Sequence, residues 1–347
     1  MLTQKQVEEI RDKLNSSNNP LFLFDNDPDG LCSFLLLWKY IQKGKGFPVR
    51  SFPDLDESYF KRAEELGADC IFILDKPVVS ESFFKRAHEV NMPVVWIDHH
   101  EADKNEIPDY VEYYNPLFNK KKTNEPVTAL CYQISGDRNL IWLAVAGCVS
   151  DKFYPEFYPE FREKYPELSI DSTEAFDIFY NSQIGKVARV LGFGLKDRTT
   201  NVINMIKFLM KATTPHEVLE DSPLNHSMHQ RFEEIEGKYQ KLLSRAIEAG
   251  RESGKVLFFQ YGGDLSISSD ISNQLIFKYP DKIIVVIYLT GMKANISVRG
   301  KNIRENLLKA LDGLPGATGG GHDDASGGQL RISDLEVFKE RFASYYS

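Results

Sequence analysis

Short apolar runs alternate with amphipathic stretches through the first half of the chain. Runs of this kind predict strands, and three of them cover Leu21–Phe24, Cys70–Leu74 and Val94–Ile97. Between them, apolar residues recur at helical spacing, which predicts helices over Leu31–Gln42, Glu57–Leu66 and Ser80–Val90. Two further helices are predicted over Pro126–Ile134 and Leu140–Cys148. The alternation predicts an α/β fold, with a mainly parallel sheet covered by flanking helices.

The pattern changes in the second half of the chain. From about Ser172 to Gly250 the apolar positions follow helical spacing, most clearly over His226–Gly250. A second α/β unit follows, with alternating strands and helices over Val256–Tyr261, Ser269–Lys278, Lys282–Leu289, Ala294–Arg299 and Asn302–Leu311. A glycine-rich loop, a short strand and a closing helix complete it. We predict domains at 1–190 and 253–347, a helical connector at 191–252, and an active-site cleft between the two lobes.

Composition narrows the class of protein. At 347 residues the chain is long enough for two domains, and its net charge of −8 argues against a broad basic surface for duplex DNA. The charge favours short or single-stranded nucleic acid. The sequence has neither the roughly 18-residue apolar run of a membrane span nor the layout of a signal peptide. Its four cysteines stand singly in apolar segments, as in reduced thiols. We expect a cytoplasmic protein without membrane contact.

Acidic residues fall where the predicted strands end. The first strand leads into Asp25–Gly30, the second ends at Asp75, the third ends at Asp98–His100, and a helix ends at Asp151. Ligands of open parallel sheets bind at the carboxyl edge of the strands, so these groups converge. Gathered carboxylates repel one another and raise their own pKa values. A divalent cation, or two, relieves that repulsion. Oxygen and imidazole ligands suit Mn²⁺, with Mg²⁺ or Co²⁺ as substitutes.

Each of these pieces also has an ordinary structural explanation. Asp25–Gly30 taken alone is equally typical of a turn or a calcium-like loop, because Asp, Asn, Pro and Gly favour turns. Asp75 alone is more typical of a helix cap, and a lone His-His pair is usually incidental. Their joint placement after predicted strands favours a metal site. Two cations about 4 Å apart activate a bridging water and stabilise charge on the attacking and leaving oxygens of a phosphate.

The same residues resemble a known family. The order Asp25-x-Asp27-x-Asp29-Gly30, strand-terminal Asp75, Asp98-His99-His100 and Gly147-x-x-Ser150-Asp151 resembles the four motifs of the DHH phosphoesterases. Near the C-terminus, Arg299 and Gly319-Gly320-Gly321-His322 resemble the signature of the DHH-associated domain. The resemblance spans nearly the whole chain. It is strongest to compact archaeal RecJ-like exonucleases and to oligoribonucleases.

The resemblance implies a role for each motif residue. One metal would be held by Asp29, Asp75, His99 and Asp151. The other would use Asp27 with the bridging Asp75, together with Asp25. Asp98 would orient the histidines, and His100 would face the scissile phosphate. The C-terminal lobe would grip substrate phosphates through Arg299, through His322, and through the N–H groups of three glycines, Gly319, Gly320 and Gly321.

Some positions depart from the family pattern. Leu23 stands where several relatives carry a histidine, so one metal is expected to be bound less tightly or to be completed by water. Lys76 follows the bridging aspartate, where a small residue is frequent; the sequence leaves open whether it approaches the phosphate or points into solvent. The Ser-Arg-Lys signature of the pyrophosphatase branch is absent from the C-terminal lobe.

The leading hypothesis is an exonuclease that hydrolyses single-stranded DNA or RNA with two Mn²⁺ ions. An enzyme of very short substrates, such as short RNA or cyclic dinucleotides, is the alternative. A non-catalytic scaffold for a replication or repair helicase is the alternative of another class. Strand polarity and the choice between monomer and homodimer stay open. The tandem repeat Tyr154–Phe161 is interpreted as a surface loop with packed aromatics, or as a surface on which bases stack.

Overall fold

The computed structural model describes residues 1–49 and 55–346. These divide into two compact units, Met1–Phe232 and Glu233–Ser347. None of the helices in the described ranges combines the length and the apolar character that a bilayer crossing requires.

The first unit contains a parallel sheet of strands β1 to β5, which are Pro20–Asp25, Lys45–Val49, Cys70–Leu74, Val94–Ile97 and Val111–Tyr114. Their spatial order is β2-β1-β3-β4-β5, and every neighbouring pair is parallel. The three central strands are almost wholly buried, since helices cover both faces of the sheet. The predicted mainly parallel sheet is confirmed. All carboxyl ends therefore lie along one edge.

The two strands that the sequence pattern missed are the two edge strands. β2 contains a glycine and a proline, and the two middle residues of β5 are only half-buried. Edge strands are covered less completely than central ones, so they lack the continuous apolar run that marks β1, β3 and β4. The apolar pattern thus identified the centre of the sheet and not its margins.

The first unit also contains helices α1 to α12, and the last of these continues into the second unit. Their bounds are Gln4–Ser16, Pro28–Ile41, Glu57–Leu66, Glu81–Glu89, Val127–Ser135, Ile141–Ser150, Tyr158–Lys164, Ala175–Asn181, Gln183–Leu195, Thr199–Lys211, Pro215–Leu219 and His226–Glu252. α1 begins with a capping box between Thr3 and Gln6. The helical run predicted from Ser172 to Gly250 corresponds to α8–α12. The core between the sheet and α3 and α4 is aromatic, with Phe60, Phe83, Phe84 and Trp96 in contact.

The second unit contains a mixed sheet. Strands β6 to β10 are Val256–Gly262, Ile283–Thr290, Lys293–Arg299, Thr318–Gly321 and Ala325–Arg331, in the order β6-β7-β8-β10-β9. Only β6 and β7 are parallel; the other pairs are antiparallel. Helices α13 to α15 are Ser268–Lys278, Arg304–Leu311 and Leu335–Ser344. Buried residues of α14 and α15 pack with those of β7 and β8 in one core.

The predicted glycine-rich loop is wrong. Gly319, Gly320 and Gly321 belong to β9, an edge strand that forms a hairpin with β10. Glycine is a weak strand former, so the sequence pattern indicated a loop. In a strand, successive N–H groups point to alternate sides. These three N–H groups therefore do not converge on one anion as the loop interpretation required.

Candidate metal centre

The first cluster of carboxylates lies where β1 turns into α2. Asp25 is the last residue of β1, and Asp27 is the N-cap of α2, whose side chain accepts a hydrogen bond from Gly30 N at 2.9 Å. Gly30 lies against the strand end so closely that a Cβ there would collide with the backbone carbonyl of Asp25. The turn Asp25–Gly30 therefore needs glycine, because α2 starts in contact with the end of β1.

Asp29, in the first turn of α2, is buried and held rigidly. Its two carboxylate oxygens accept hydrogen bonds from Val127 N at 3.0 Å and Thr128 N at 2.7 Å, and Thr128 Oγ1 donates to its carbonyl at 2.9 Å. These backbone donors open helix α5, where orphan N–H groups favour an anion. The charge of Asp29 is thus stabilised away from solvent at the carboxyl edge of the sheet.

Asp75 has an unusual backbone and an unsatisfied side chain. It follows β3 with φ at 59°, in the left-handed region that non-glycine residues rarely adopt. The residue is 3% exposed, and its Oδ1 accepts no hydrogen bond from any described residue. Strained backbone and unsatisfied buried oxygens are both concentrated at functional sites. A bound cation would satisfy this carboxylate oxygen.

The two histidines after β4 are oriented by different groups. Nδ1 of His100 contacts Asp98 Oδ1 at 2.8 Å, and Tyr113 donates to Asp98 Oδ2 at 3.2 Å. Nδ1 of His99 contacts Asn124 Oδ1 at 3.1 Å. An amide oxygen at Nδ1 fixes the His99 tautomer in which Nε2 carries the lone pair. Asp98 therefore orients His100 only, and Asn124 orients His99.

Nε2 of His99 lies between two carboxylates. It is 3.5 Å from Asp75 Oδ1 and 3.8 Å from Asp151 Oδ2, and Asp151 caps the C-terminus of α6. Within the described chain, ligand atoms gather in two groups, each spanning at most 4.8 Å. They share His99: one group is Asp75, His99 and His100, and the other is Asp29, His99 and Asp151. The four residues predicted to hold the first metal are therefore divided between two groups that His99 joins.

The donor set fits a divalent cation. Two imidazoles and three carboxylates offer the mixed nitrogen and oxygen ligands that Mn²⁺ accepts, and the Oδ1 atom of Asp75 needs a positive partner. Asp29, Asp75, His99 and Asp151 are the residues that would hold the ion. Such an ion would replace the repulsion between these carboxylates by attraction.

The acidity of the cluster reflects the same repulsion. Burial raises the pKa of Asp75 well above its usual range, and the charges of Asp29, Asp27 and Asp25 raise it further. Burial and the neighbouring charges of Asp25 and Asp29 likewise raise the pKa of Asp27. Desolvation raises the pKa of Asp151 to about 6, although its side chain is 43% exposed and solvent screening reduces this effect. Without a metal ion, these carboxylates therefore bind protons more readily than ordinary aspartates do.

Asp25 and Asp27, predicted to hold the second metal, lie outside both groups of ligand atoms. Asp25 Oδ1 forms an ion pair with Lys76 Nζ at 2.7 Å, and the Lys76 side chain is only 2% exposed. Lys76 therefore points into the protein, toward the carboxylates, and not into solvent. Its backbone carbonyl also accepts a hydrogen bond from Trp96 Nε1 at 3.0 Å, which anchors the segment after Asp75.

In the second unit, Arg299 ends β8. Its Nε donates to Asn273 Oδ1 at 2.7 Å, and its Nη1 donates to Ser297 Oγ at 3.2 Å and to Val298 O at 2.8 Å. Arg299 is half-buried and His322, between β9 and β10, is exposed. The backbone N–H of His322 donates to Ala325 O at 3.0 Å, which closes the hairpin.

The tandem repeat is largely packed into the protein. Tyr158 and Phe161 are fully buried, and Tyr158 OH donates to Ile170 O at 3.0 Å. Phe157 packs against Tyr132 with ring centroids 4.8 Å apart. The predicted packing of the aromatics agrees with this arrangement, but the second half of the repeat belongs to helix α7 and not to a loop. The part of the stacking hypothesis that used Tyr158 is wrong, because a buried ring cannot meet a base.

Sequence reasoning did not identify several residues that shape this centre. Asn124 contacts the ring of His99, and Tyr113 donates a hydrogen bond to Asp98, which contacts the ring of His100. Asn115 donates to the carbonyl of His100 at 2.8 Å. These are common polar residues in an unremarkable segment between β4 and α5. No spacing or motif signals their contacts, which arise only when β5 and the α5 entry pack beside β4.

Comparison with known proteins agrees with this architecture. Residues 21–149 match the model of the DHH family, N-terminal domain, and residues 253–347 match that of the DHHA1 domain. The chain is a DHH-family protein with a C-terminal DHHA1 domain. The predicted family resemblance is thereby confirmed, and the fold is that of a family of phosphoesterases. No curated protein sequence matches the chain.

Solved structures of low sequence identity share the fold. RecJ from Thermus thermophilus in complex with Mn²⁺ superposes with a TM-score of 0.72 at 14% identity, covering 99% of this DHH-family chain and 55% of that RecJ. Another manganese-bound RecJ has a TM-score of 0.67 at 14% identity, covering 99% and 94%. CDC45 from Entamoeba histolytica has a TM-score of 0.55 at 10% identity, covering 97% and 98%. The chain spans just over half the length of the Thermus RecJ.

Proposed function

We propose that this DHH-family protein is a metal-dependent phosphodiesterase that hydrolyses single-stranded DNA or RNA from an end. The observation that carries the proposal is the buried Oδ1 of Asp75, which accepts no hydrogen bond from the described residues and faces His99 Nε2 at 3.5 Å. A buried carboxylate oxygen of this kind is costly unless a cation binds it. The manganese in two structurally similar RecJ proteins supports Mn²⁺ as the ion.

The side chains have distinct roles in the proposal. Asp29, Asp75, His99 and Asp151 hold one cation, and Asp27 with the bridging Asp75 forms the predicted position of a second; whether Asp25 joins them depends on Lys76. When bound, the cations supply a nucleophilic water and neutralise charge on the phosphate oxygens. Asp29 is fixed by backbone N–H donors, so the position of this carboxylate is set before any ion binds.

His100 is suited to contact the scissile phosphate. Burial lowers its pKa, but the hydrogen bond to Asp98 and the nearby carboxylates more than compensate, so the net pKa is raised. The hydrogen bond and the neighbouring carboxylates therefore favour the charged imidazolium over the neutral ring. With Nδ1 bonded to Asp98, the ring presents Nε2 in a fixed direction. We assign Nε2–H to donate a hydrogen bond to a phosphate oxygen, whose charge increases during hydrolysis.

A Mn²⁺-dependent digestion panel tests the proposal. DNA and RNA oligonucleotides of several lengths, labelled at either end, are incubated with the protein alongside cyclic dinucleotides. We expect Mn²⁺-dependent release of mononucleotides from one end of single strands. Fastest turnover of dinucleotides would instead identify an enzyme of very short substrates.

The scaffold alternative is separated by calorimetry. Titration of the protein with Mn²⁺ is expected to show binding, because acidic groups are gathered at one edge of its sheet. A protein that served only as a scaffold would not need this arrangement. Absence of both Mn²⁺ binding and hydrolysis would favour a non-catalytic partner of a helicase. The variant Asn124→Ala tests the same centre. Its affinity for Mn²⁺ is expected to fall about 10-fold, because Asn124 no longer orients the ring of His99.

A further inference from the structure

Lys76 is a buried cation placed inside a cluster of carboxylates. Its side chain is 2% exposed, and its Nζ lies 2.7 Å from Asp25 Oδ1, on a side chain that is itself only 13% exposed. Asp25 and Lys76 are 51 residues apart in sequence, so their contact is a product of the fold. A buried ion pair with this geometry is short and charge-assisted, and it holds both groups in one arrangement.

The position of the pair matters because Asp25 was predicted to ligate the second metal. Among the described residues, ligand atoms gather within 4.8 Å of one another in two groups: Asp75, His99 and His100 form one, and Asp29, His99 and Asp151 form the other. Asp25 belongs to neither group; it faces an ammonium that repels any divalent ion brought beside it. An ammonium at this point also neutralises part of the charge that would otherwise attract a second ion.

We infer that Lys76 is a built-in cation that withdraws Asp25 from the metal ligands, so that the protein holds one tightly bound divalent ion and a second much more weakly. The inference rests on the proposed metal centre and concerns how many ions it retains. The tight position is the one formed by Asp29, Asp75, His99 and Asp151. The weak position has Asp27 and the bridging Asp75 but lacks the Asp25 carboxylate.

A purely structural role for Lys76 makes a different prediction. In that case the ion pair stabilises the strand end, and its removal changes the melting temperature without changing the number or affinity of bound ions. The two roles separate in metal binding, which is measured without substrate and independently of activity.

The test uses Lys76→Met in the full chain, with Mn²⁺ as the probe. Methionine keeps the length of the buried side chain and removes its charge. We expect the wild-type protein to bind one tight Mn²⁺ by calorimetry, and Lys76→Met to bind the second ion about 10- to 100-fold more tightly than wild type. Dipolar broadening of the Mn²⁺ EPR signal then reports two neighbouring ions at sub-saturating metal.

Lys39→Met is the matched control. Lys39 is also partly buried, but its Nζ donates to the carbonyls of Met210 at 2.9 Å and Ala212 at 2.6 Å, and not to a carboxylate. Its loss is expected to lower thermal stability while leaving the Mn²⁺ isotherm unchanged. A gain in second-ion affinity that also occurs in Lys39→Met would overturn the inference.

The double variant Lys76→Met with Asp25→Asn decides the role of Asp25 even where the single variant does not fold. It removes one charge of each sign, and replacing a buried ion pair by neutral groups is generally tolerated. We expect its isotherm to superimpose on that of wild type. Weaker binding of the second ion in the double variant than in wild type would mean that Asp25 is a ligand, and the inference would be wrong.

The outcomes for the wild-type protein are also distinct. Two Mn²⁺ ions of equal, tight affinity would overturn the inference and leave the proposed phosphodiesterase intact. No Mn²⁺ binding at all would overturn the metal centre itself, and the inference with it.

Discussion

The two α/β units of this protein use their sheets in opposite ways. All five strands of the first sheet are parallel, so Asp25, Asp75 and the segment Asp98–His100 reach the same edge. In the second sheet three of the four neighbouring pairs are antiparallel, so the two strands of each of these pairs end at opposite edges. Parallel strands therefore help the first unit to concentrate charged side chains at one edge, whereas antiparallel pairs in the second unit end at both edges.

The polar groups of the two units also differ in how they are satisfied. In the first unit, Asp75 keeps a buried oxygen that accepts no hydrogen bond from the described chain. In the second, Arg299 donates to Asn273 and Ser297, and Ser297 also contacts Ser272 at 2.9 Å. A buried polar atom without a hydrogen-bond partner indicates a place where a ligand binds. Side chains that are held by hydrogen bonds within the protein indicate a preorganised binding surface. We therefore expect chemistry in the first unit and substrate grip in the second.

Asp75→Asn is expected to have the largest effect of the variants that test this comparison. Asparagine tolerates the positive φ of this position, so the fold is retained while a bridging ligand is weakened. We expect hydrolysis to fall by about 10³-fold or more. The metal-free melting temperature should rise, because a repelled buried carboxylate has been removed. Initial rates in Mn²⁺ and thermal unfolding in chelator measure the two effects.

The control for that variant is Asp56→Asn, which changes the N-cap of α3. Asparagine caps helices about as well as aspartate, so activity should be unchanged. Near-wild-type hydrolysis by Asp75→Asn would contradict the metal centre.

His100→Ala separates catalysis from metal binding within the first unit. Removal of a hydrogen-bond donor to the phosphate is expected to lower kcat by about 10²-fold. Mn²⁺ affinity should change much less than in His99→Ala, since His99 Nε2 lies between Asp75 and Asp151. Rates and calorimetry on both variants test this.

His88→Ala, which removes an exposed histidine stacked on Tyr110, is the neutral reference for the histidine variants. Equal loss of metal affinity in His99→Ala and His100→Ala would instead make His100 a ligand, as the grouping of Asp75, His99 and His100 allows.

Arg299→Ala tests the second unit. A charged hydrogen bond to substrate phosphate, remote from bond breaking, contributes to binding, so KM should rise about 10-fold with kcat unchanged. Asn273→Ala should give a smaller rise, because it loosens the guanidinium without removing it. The exposed Arg331 on β10 supplies the control variant Arg331→Ala. An unchanged KM in Arg299→Ala would show that the comparison between the units is wrong.

The smallest expected effect is in the pH dependence of metal-free stability. The folded pKa of Asp151 is raised to about 6 from 3.8, so the native state binds the proton more tightly than the unfolded chain does. The contribution to stability is therefore full below pH 3.8 and is lost as pH rises through about 6. Relative to Asp151→Asn, wild-type protein in chelator should lose a few degrees of melting temperature over this range.

Saturating Mn²⁺ should reverse that slope, because metal binding requires the deprotonated carboxylates and strengthens as pH rises. Thermal unfolding of both proteins at several pH values, with chelator and with Mn²⁺, provides the measurement. Parallel curves for wild type and Asp151→Asn in chelator would contradict the raised pKa.

Much of the fold followed from local pattern. Strands β1, β3 and β4 were predictable because burial on both faces makes each one continuously apolar. The edge strands β2 and β5 were not, and β9 was mistaken for a loop because its glycines carry no strand preference. The grouping of Asp75, His99 and His100 was predictable for a geometric reason: these residues directly follow strands, and parallel strands end at one edge.

The sequence by itself therefore determined the parallel sheet, the family motifs and the residues that gather at the carboxyl edge. Tertiary structure alone decided how those residues are partnered. It placed Lys76 beside Asp25, Asn124 beside His99, and left the Oδ1 atom of Asp75 without a hydrogen bond from the described residues. The physical reason is separation along the sequence. Periodicity and strand ends are local properties, whereas these contacts join side chains from separate elements.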